Sequence, residues 1–341
     1  MNIVEYSGNA KEWDDYVQNR DDATPFHQIG WKRIIEKTFR HKAYYLMAKD
    51  NDKIKGILPL FLMKSRILGS YLISLPFIDH GGVYADNNEV AISLVKRAIN
   101  IAQDRKLNYL ELRNLSEIKY LSLITKRAKV TFILNLAEGE DFLWKNFRKQ
   151  VRNRIRKGIK NGLKVDFGKQ NFVKFYDIFS QSMKDMGSPV QNKQFFLNIL
   201  EEFPQQTEIF VIFYNKKVIA TKLIMFFKDT MFLVWGAFLK EYYELVPNYL
   251  LMWEVIRFAY EGGYRFCNMG RSTINSGPYD FKKQWGPEIR QLYWQYYLNK
   301  AKQLPNLTPN NPKFSLAIKL WKHLPLRLTK LLGPLIIRNI P

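Results

Sequence analysis

The order of the predicted helices and strands restricts the fold of this chain more than any other feature. In the second half, hydrophobic periodicity predicts helices over 141–162, 172–186, 191–203 and 247–261, and strands over 207–214, 218–227, 230–238, 264–269 and 292–298. The first half has a similar order, with strands over 3–6, 42–49, 54–63, 72–77, 109–112 and 130–136, and helices from Thr24, over 87–105 and over 116–127. Hairpin strands mixed with helices are typical of an α/β protein with mixed sheets.

Composition and motif content narrow the class of protein. The 341 residues are 47% hydrophobic, which is enough for a large core and, by length, for two domains. The net charge of +22 favours anionic partners: nucleic acid, phosphorylated donors or an anionic membrane surface. Cys267 is the only cysteine and the histidines lack metal-ligand spacing, so we expect neither a disulfide nor a zinc site. The sequence shows no signal peptide, membrane-spanning run, Walker loop or nucleophile elbow, and we expect a cytoplasmic protein.

The stretch from Tyr264 to Leu298 is the strongest candidate for a ligand site. A predicted strand ends at Gly270, and Arg271, Ser272 and Thr273 follow in a polar loop. Loops on a rigid sheet are where binding groups usually lie, so we expect this loop to hold an anionic ligand through its arginine. The alternative is a surface loop whose charges are merely solvated.

Two other segments are strongly basic. The helix predicted over 141–162 has no acid after its opening, and we expect Arg152 and Arg156 on it to contact an anionic substrate, because like charges at i, i+4 repel one another. The alternative is a solvated helix face. The tail from 301 onward contains no acid and predicts basic amphipathic helices. Such helices suit an anionic bilayer surface, unless they fold back onto the domain.

The signature stretch also resembles a known family. The residues that carry the resemblance are Asn268-Met269-Gly270-Arg271-Ser272, Gly277, Tyr279, Phe281-Lys282-Lys283 and Trp285-Gly286. They resemble the signature of FemAB-related proteins, tandem-domain members of the GNAT-like acyltransferase superfamily, of the type associated with exosortase/PEP-CTERM and exopolysaccharide gene clusters. Weaker pieces elsewhere extend it over nearly the whole chain: Phe26-His27, Leu75-Pro76-Phe77, Gly81-Gly82 and Pro247-Asn248.

The resemblance implies two GNAT-like domains and transfer of an acyl or aminoacyl group to an amine. We place an N-terminal GNAT-like domain at 1–136, a C-terminal one that carries the signature at 137–300, and a basic tail at 301–341. Acyl-CoA-binding GNAT domains carry a glycine-rich loop after the fourth strand. Here that position is 239–248, which has no glycine, so fewer free amides can converge on a phosphate.

Roles for individual residues follow from the chemistry of such a transfer. Attack of an amine on an ester or thioester needs a proton acceptor, a stabilised oxyanion and alignment of both substrates. The residues predicted to be catalytic are Arg271, Lys282, Lys283, Tyr279 and Glu254. Those predicted to bind substrate are Ser272, Thr273, Asn248, Trp285, Asp79, His80, Arg152 and Arg156. The competing interpretation is an ion pair for Glu254 and core packing for Trp285.

The sequence therefore predicts an N-acyltransferase that acts on a cell-envelope, peptidoglycan-like or exopolysaccharide intermediate, peripheral to the inner face of the cell membrane. The expected cosubstrate is an activated donor (acyl-CoA, acyl carrier protein or aminoacyl-tRNA), and the expected acceptor is an amine, with no permanently bound cofactor or metal. The alternative is a non-catalytic basic protein on a GNAT-like scaffold, which binds nucleic acid or assembles at the membrane surface. The oligomeric state is not predicted.

Overall fold

The computed structural model describes residues 1–65, 69–305 and 312–340 and divides into two compact units. Unit 1 comprises Met1–Lys129, Gln291–Thr308 and Arg338–Pro341, and unit 2 comprises Val130–Arg290 and Pro309–Ile337. These bounds differ from the predicted 1–136, 137–300 and 301–341, because the described residues 291–305 pack with unit 1 and the helices of the tail pack with unit 2. Residues 306–311 of the predicted tail lie outside the described residues.

Unit 1 is a mixed sheet with helices. Its strands are β1 (Asn2–Glu5), β2 (Lys42–Asp50), β3 (Lys53–Ser65), β4 (Gly69–Ser74), β5 (Tyr84–Ala85), β6 (Tyr109–Asn114), the first part of β7 (Ile124–Asn135) and most of β14 (Glu288–Leu298). Its helices are α1 (Ala10–Gln18), α2 (Gly30–Phe39), α3 (Asn88–Asp104) and a 3₁₀ turn at Pro25–His27. The strand order is β1-β2-β3-β4-β6-β14, with β5 beside β3. Strands β4 and β6 are parallel, and α3 supplies the crossover that a parallel pair requires.

Unit 2 repeats this arrangement. Its strands are the second part of β7, then β8 (Lys164–Phe167), β9 (Thr207–Tyr214), β10 (Lys217–Phe227), β11 (Thr230–Phe238), β12 (Phe266–Asn268) and β13 (Ser272–Thr273). Its helices are α4 (Glu140–Asn146), α5 (Lys149–Lys160), α6 (Phe172–Met186), α7 (Lys193–Glu202), α8 (Pro247–Glu261), α9 (Gly277–Lys283), α10 (Pro312–His323) and α11 (Leu326–Ile337), with 3₁₀ turns at Lys169–Asn171 and Lys240–Leu245. The order β8-β9-β10-β11-β12-β7 matches that of unit 1, and β11 and β12 are parallel, with α8 as the crossover. The predicted similarity of the two halves is confirmed at the level of topology.

Helices cover both faces of the unit 2 sheet, so unit 2 has a hydrophobic core on each side of the sheet. On one face, α5 and α8 bury Val151, Ile155 and Ile256 against the strands. On the other, α6 and α7 contribute an aromatic cluster in which Phe195 and Phe196 pack edge-on against Trp235 of β11. Both faces of the sheet are therefore covered, as expected of strands that read as nearly continuous apolar runs.

One predicted helix is interrupted in the structure, and another does not form. The helix predicted over 141–162 is broken between α4 and α5, where Phe147 has extended backbone and buries its ring against Trp253 and Trp285. The helix predicted over 116–127 does not form. There, the amide of Gln295 accepts from the backbone N–H of Ile118 and donates to its carbonyl, and these groups are satisfied without helical turns.

Candidate functional site

The parallel strands β11 and β12 of unit 2 separate at one end. Their pairing runs from Thr230↔Phe266 to Phe232↔Asn268, where β12 ends, whereas β11 continues to Phe238. Beyond this point, no strand of the described residues pairs with the edge of β11 that faced β12, and this edge is open. Exposed Gly236 lies on this section of the strand and leaves the backbone accessible. An open strand edge offers N–H and C=O groups to an extended ligand.

The loop that follows β12 is held by two side chains. Asn268 is buried, and its Oδ1 accepts hydrogen bonds from Thr131 Oγ1 at 2.7 Å and from the backbone N–H of Gly270 at 2.9 Å. Gly270 has a φ of +73°, a conformation that residues with a side chain rarely adopt. Lys282 Nζ donates to the carbonyl oxygens of Gly270 and Arg271, each at 2.9 Å. The loop is therefore fixed from both sides before any ligand binds.

This geometry changes the role assigned to Lys282. Its ammonium is engaged by the loop carbonyls and lies 5.6 Å from the centre of the Phe132 ring. Lys282 is thus a positioning residue for the loop rather than a cation held out toward a donor. Lys283 is exposed, with Nζ 5.8 Å from the centre of the Tyr279 ring, and Tyr279 packs edge-on against Phe132 at 5.5 Å.

The polar residues of the loop differ in exposure. Arg271 is half-buried and Thr273 is exposed, whereas Ser272 is only 4% exposed. Ser272 Oγ has no hydrogen-bond partner among the residues that the structure describes. A buried hydroxyl without a hydrogen-bond partner lowers the stability of the fold by about 1–3 kcal/mol. A ligand atom that binds to Ser272 Oγ would explain why the protein retains such a group.

For Trp285 and Glu254, the structure favours the competing interpretations, which are core packing and an ion pair. Trp285 is 1% exposed and packs against Phe147 and Tyr249, so its indole belongs to the core and is not an accessible contact for substrate. Glu254 forms an ion pair with Arg257 at 3.4 Å. Burial raises the pKa of the Glu254 carboxyl, and the Arg257 charge opposes this rise.

The N-terminus of α8 lies beside the basic helix α5. Asn248 is the second residue of α8, and its Oδ1 is buried without a hydrogen-bond partner among the described residues. Val246, just before the helix, has a φ of +55°, which is strained for a β-branched residue. On α5, a Cβ at Gly158 would lie 3.2 Å from Leu250, so the helices cross at close range.

The exposed face of α5 is cationic, and its arginines contact aromatic rings. Arg154 lies 5.9 Å from the centre of the Tyr249 ring, and Arg156 lies 5.3 Å from the centre of the Trp144 ring. Arg152 is half-buried, whereas Arg156 is exposed. The two predicted substrate-binding arginines are thus on the helix that packs on α8. The segment between β11 and α8 forms a 3₁₀ turn over Lys240–Leu245 and contains no glycine.

Asp79 and His80 lie in unit 1, in the turn between β4 and β5. His80 is 1% exposed, and its ring packs edge-on against Phe26 at 4.9 Å. Leu75 and Phe77 of this turn have positive φ values of 24° and 70°, and such strain often accompanies a binding loop. The turn is braced because Arg113 Nη1 donates to the carbonyl of Ile78 at 2.7 Å; Arg113 itself is paired with buried Glu111 at 2.9 Å.

Sequence reasoning missed Lys222. This residue of β10 pairs with Gly236 of β11, and a Cβ at Gly236 would lie 3.3 Å from its Nζ. Burial lowers the pKa of Lys222 to about 8, and the nearby Cys267 thiol opposes this effect. Burial raises the pKa of the Cys267 thiol to about 12, and the charges of Lys222 and Lys282 oppose this rise. The ammonium groups of Lys222 and Lys282 therefore both lie near Cys267. The sequence does contain one indication of this residue, because Lys222 interrupts the otherwise apolar predicted strand 218–227.

Comparison with known proteins agrees with this geometry. Residues 145–283, which include α5 to α9, match the family described as "Acetyltransferase (GNAT) domain", so this part of unit 2 is similar to a GNAT-like acetyltransferase domain. No curated protein matches the chain as a relative.

Solved structures share the fold over most of the chain at low sequence identity. FemX is 14% identical with a TM-score of 0.65, over 93% of this chain and 100% of that chain. A tandem GNAT protein from the clavulanic acid biosynthesis pathway is 9% identical with a TM-score of 0.59, over 86% and 97%. L-PGS from Bacillus licheniformis is 12% identical with a TM-score of 0.55, over 89% and 96%. The prediction of an α/β fold with tandem GNAT-like domains is confirmed.

Proposed function

We propose that the chain is an N-acyltransferase that moves an acyl or aminoacyl group from an anionic activated donor to an amine on a cell-envelope, peptidoglycan-like or exopolysaccharide intermediate. The observation that carries the proposal is the amine of Lys222, lying beside Gly236 at the open edge of β11 inside the GNAT-like domain. The open edge accommodates an extended donor, and the lysine supplies the proton acceptor that aminolysis needs.

The reaction is an aminolysis in which atoms balance without a further reactant. The acceptor nitrogen forms a bond to the acyl carbon, and the bond from that carbon to the leaving oxygen or sulfur breaks. The nitrogen gives up one proton to Lys222. The leaving alcohol or thiol recovers a proton from the Lys222 ammonium, which restores the starting state.

Lys222 suits this role because its environment disfavours the charged form. With a pKa near 8, about a tenth of the amine is neutral at pH 7, compared with less than a thousandth for a lysine with its ordinary pKa. Lysines whose pKa is lowered in this way serve as general bases. The hydroxyl of Ser272, buried and without a partner among the described residues, is available to donate a hydrogen bond to the oxyanion.

The surface beside the N-terminus of α8 indicates which kind of donor the protein binds. The segment 239–248 has no glycine loop to cradle a pyrophosphate, whereas α5 presents Arg152, Arg154 and Arg156 next to the N-terminus of α8. This arrangement favours phosphates held by side-chain cations, as in a phosphopantetheine arm on a carrier protein or the acceptor end of an aminoacyl-tRNA. Acyl-CoA carries phosphates of the same chemistry and is the third candidate donor.

The test compares envelope glycans and lipids by mass spectrometry in cells that lack the chain and in cells that produce it. Wild-type protein and the control Lys164→Met, which removes an exposed strand lysine of the same unit, should add an acyl or aminoacyl mass to an amine. Lys222→Met and Arg271→Ala, produced at matched levels, should not. Absence of any mass change under producing conditions would overturn the proposal. Salt-dependent nucleic-acid binding that survives Arg271→Ala, without a modified product, would favour the non-catalytic alternative.

A further inference from the structure

The two C-terminal helices are anchored to unit 2 by one side of each helix. Trp321 of α10 is 8% exposed, and Thr329 and Gly333 of α11 are also buried. A Cβ at Gly333 would lie 2.9 Å from the backbone nitrogen of Val190, so α11 approaches the backbone more closely than any side chain allows. The alternative given for the tail, in which it folds back onto the domain, is therefore observed, with Trp321 inside rather than available to a bilayer.

The opposite side of the same helices is apolar and faces solvent. On α10, Leu316 is 69% exposed and Leu320 is 60% exposed. On α11, Leu328, Leu331 and Leu335 are 44%, 66% and 61% exposed. Their spacing of three and four residues places these leucines in one row per helix. On α11 the row is also opposite buried Thr329 and Gly333. Clustered exposed leucines of this kind mark an interaction surface, which we call the leucine face.

Charge selects among the partners that could cover the leucine face. Lys319, Lys322 and Arg327 are exposed on these helices, and the last acidic residue of the chain is Glu288. A second copy that docked through the same face would bring these cations together, which disfavours a symmetric dimer. A row of leucines flanked by cations fits a surface that is apolar inside and anionic at its rim, as the boundary of an anionic bilayer is.

The dimensions of the helices fit an orientation in the plane of the bilayer. Among the described residues, no helix is long and apolar enough to cross a membrane. Each of the two C-terminal helices has 12 residues, and both expose leucines. We propose that the leucine face docks unit 2 on an anionic lipid surface, with α10 and α11 lying in the interface. This inference stands independently of the transfer chemistry.

The experiment is co-sedimentation of the full chain with vesicles of phosphatidylcholine alone or with a third of phosphatidylglycerol. We expect binding to the anionic vesicles, and we expect it to fall at least about tenfold in Leu331→Asp/Leu335→Asp. Each change removes a leucine that the bilayer would bury and adds a charge that the anionic surface repels. Leu121→Asp, at a fully exposed leucine of unit 1, is the matched control and should bind like wild type. Thermal unfolding of each variant checks that the fold is retained.

Charge is tested separately with Lys319→Gln/Arg327→Gln, which should weaken binding and reduce its dependence on salt. The proposal is overturned if the wild-type chain ignores anionic vesicles, or if the double aspartate variant binds as well as Leu121→Asp. It is also overturned if sedimentation equilibrium shows a dimer that the double aspartate variant abolishes, since the face would then join two copies. Because none of these readouts involves acyl transfer, failure here leaves the proposed reaction intact, and the converse also holds.

Discussion

Replacing Lys222 by methionine should make the protein more stable at neutral pH. Lys222 is half-buried beside Gly236 and Cys267, and the partial loss of solvation lowers its pKa from 10.5 to about 8. Methionine has a similar length and no charge, so it fills the same space without the cost of desolvating an ammonium. If removal of Lys222 stabilises the fold, the residue is retained for a reason other than stability. We infer that this reason is its ability to accept a proton.

The size of the effect follows from the shift in pKa. The fall from 10.5 to about 8 at 1.36 kcal/mol per unit corresponds to at most about 3 kcal/mol in the free energy of unfolding at pH 7. Between pH 8 and 10.5 the unfolded chain keeps the lysine proton, whereas the folded protein has lost it. The stability of wild type relative to the variant therefore rises with pH in this window, and the difference disappears near pH 10.5.

The assay is urea-induced unfolding of wild type, Lys222→Met and the exposed control Lys164→Met at pH 7, 8, 9 and 10. Groups that titrate in all three proteins cancel in the differences. We expect Lys222→Met to be more stable at pH 7, with an advantage that shrinks as pH rises, and Lys164→Met to differ from wild type by less than about 0.5 kcal/mol at every pH. A Lys222→Met difference that is independent of pH, or a destabilised variant, would refute the reasoning.

Two substitutions test the bracing of the loops. Asn268→Leu removes the acceptor of the Gly270 N–H and of a buried threonine hydroxyl, which should cost about 2 kcal/mol or more in urea unfolding and lower transfer activity at least tenfold. Gly82→Ala should destabilise unit 1 by more than about 2 kcal/mol, because the new Cβ would lie 2.0 Å from Asn114 Oδ1. Gly277→Ala, where the Cβ meets nothing within 4 Å, is the control, and an equal effect of both glycine changes would contradict this account.

Much of the fold could be predicted from local sequence patterns. The hairpins and the helical crossover of each unit follow from such patterns, and the predicted helix over 87–105 agrees with Asn88–Asp104. The pairing of β14 with β6 joins segments far apart in the sequence and does not. Where the prediction was wrong, a distant side chain decided the outcome. Gln295 satisfies the backbone at Ile118 from β14, and no local pattern near 116–127 carries that information. Local propensity is outweighed by such contacts because a buried backbone group must find a partner wherever one lies.

The signature around Gly270 was found from the sequence, but its physical meaning needed the structure. Ser276 caps α9 by accepting from the backbone N–H of Tyr279, and the helix returns Lys282 to the carbonyls of Gly270 and Arg271. The spacing from Gly270 to Lys282 thus allows α9 to hold the loop that precedes it, and Asn268 holds the other side of this loop. Conversely, the residue best suited to accept a proton lies outside the signature. Lys222 is placed by the register of β10 against β11, and a register between strands is set by long-range packing and cannot be read from a short motif.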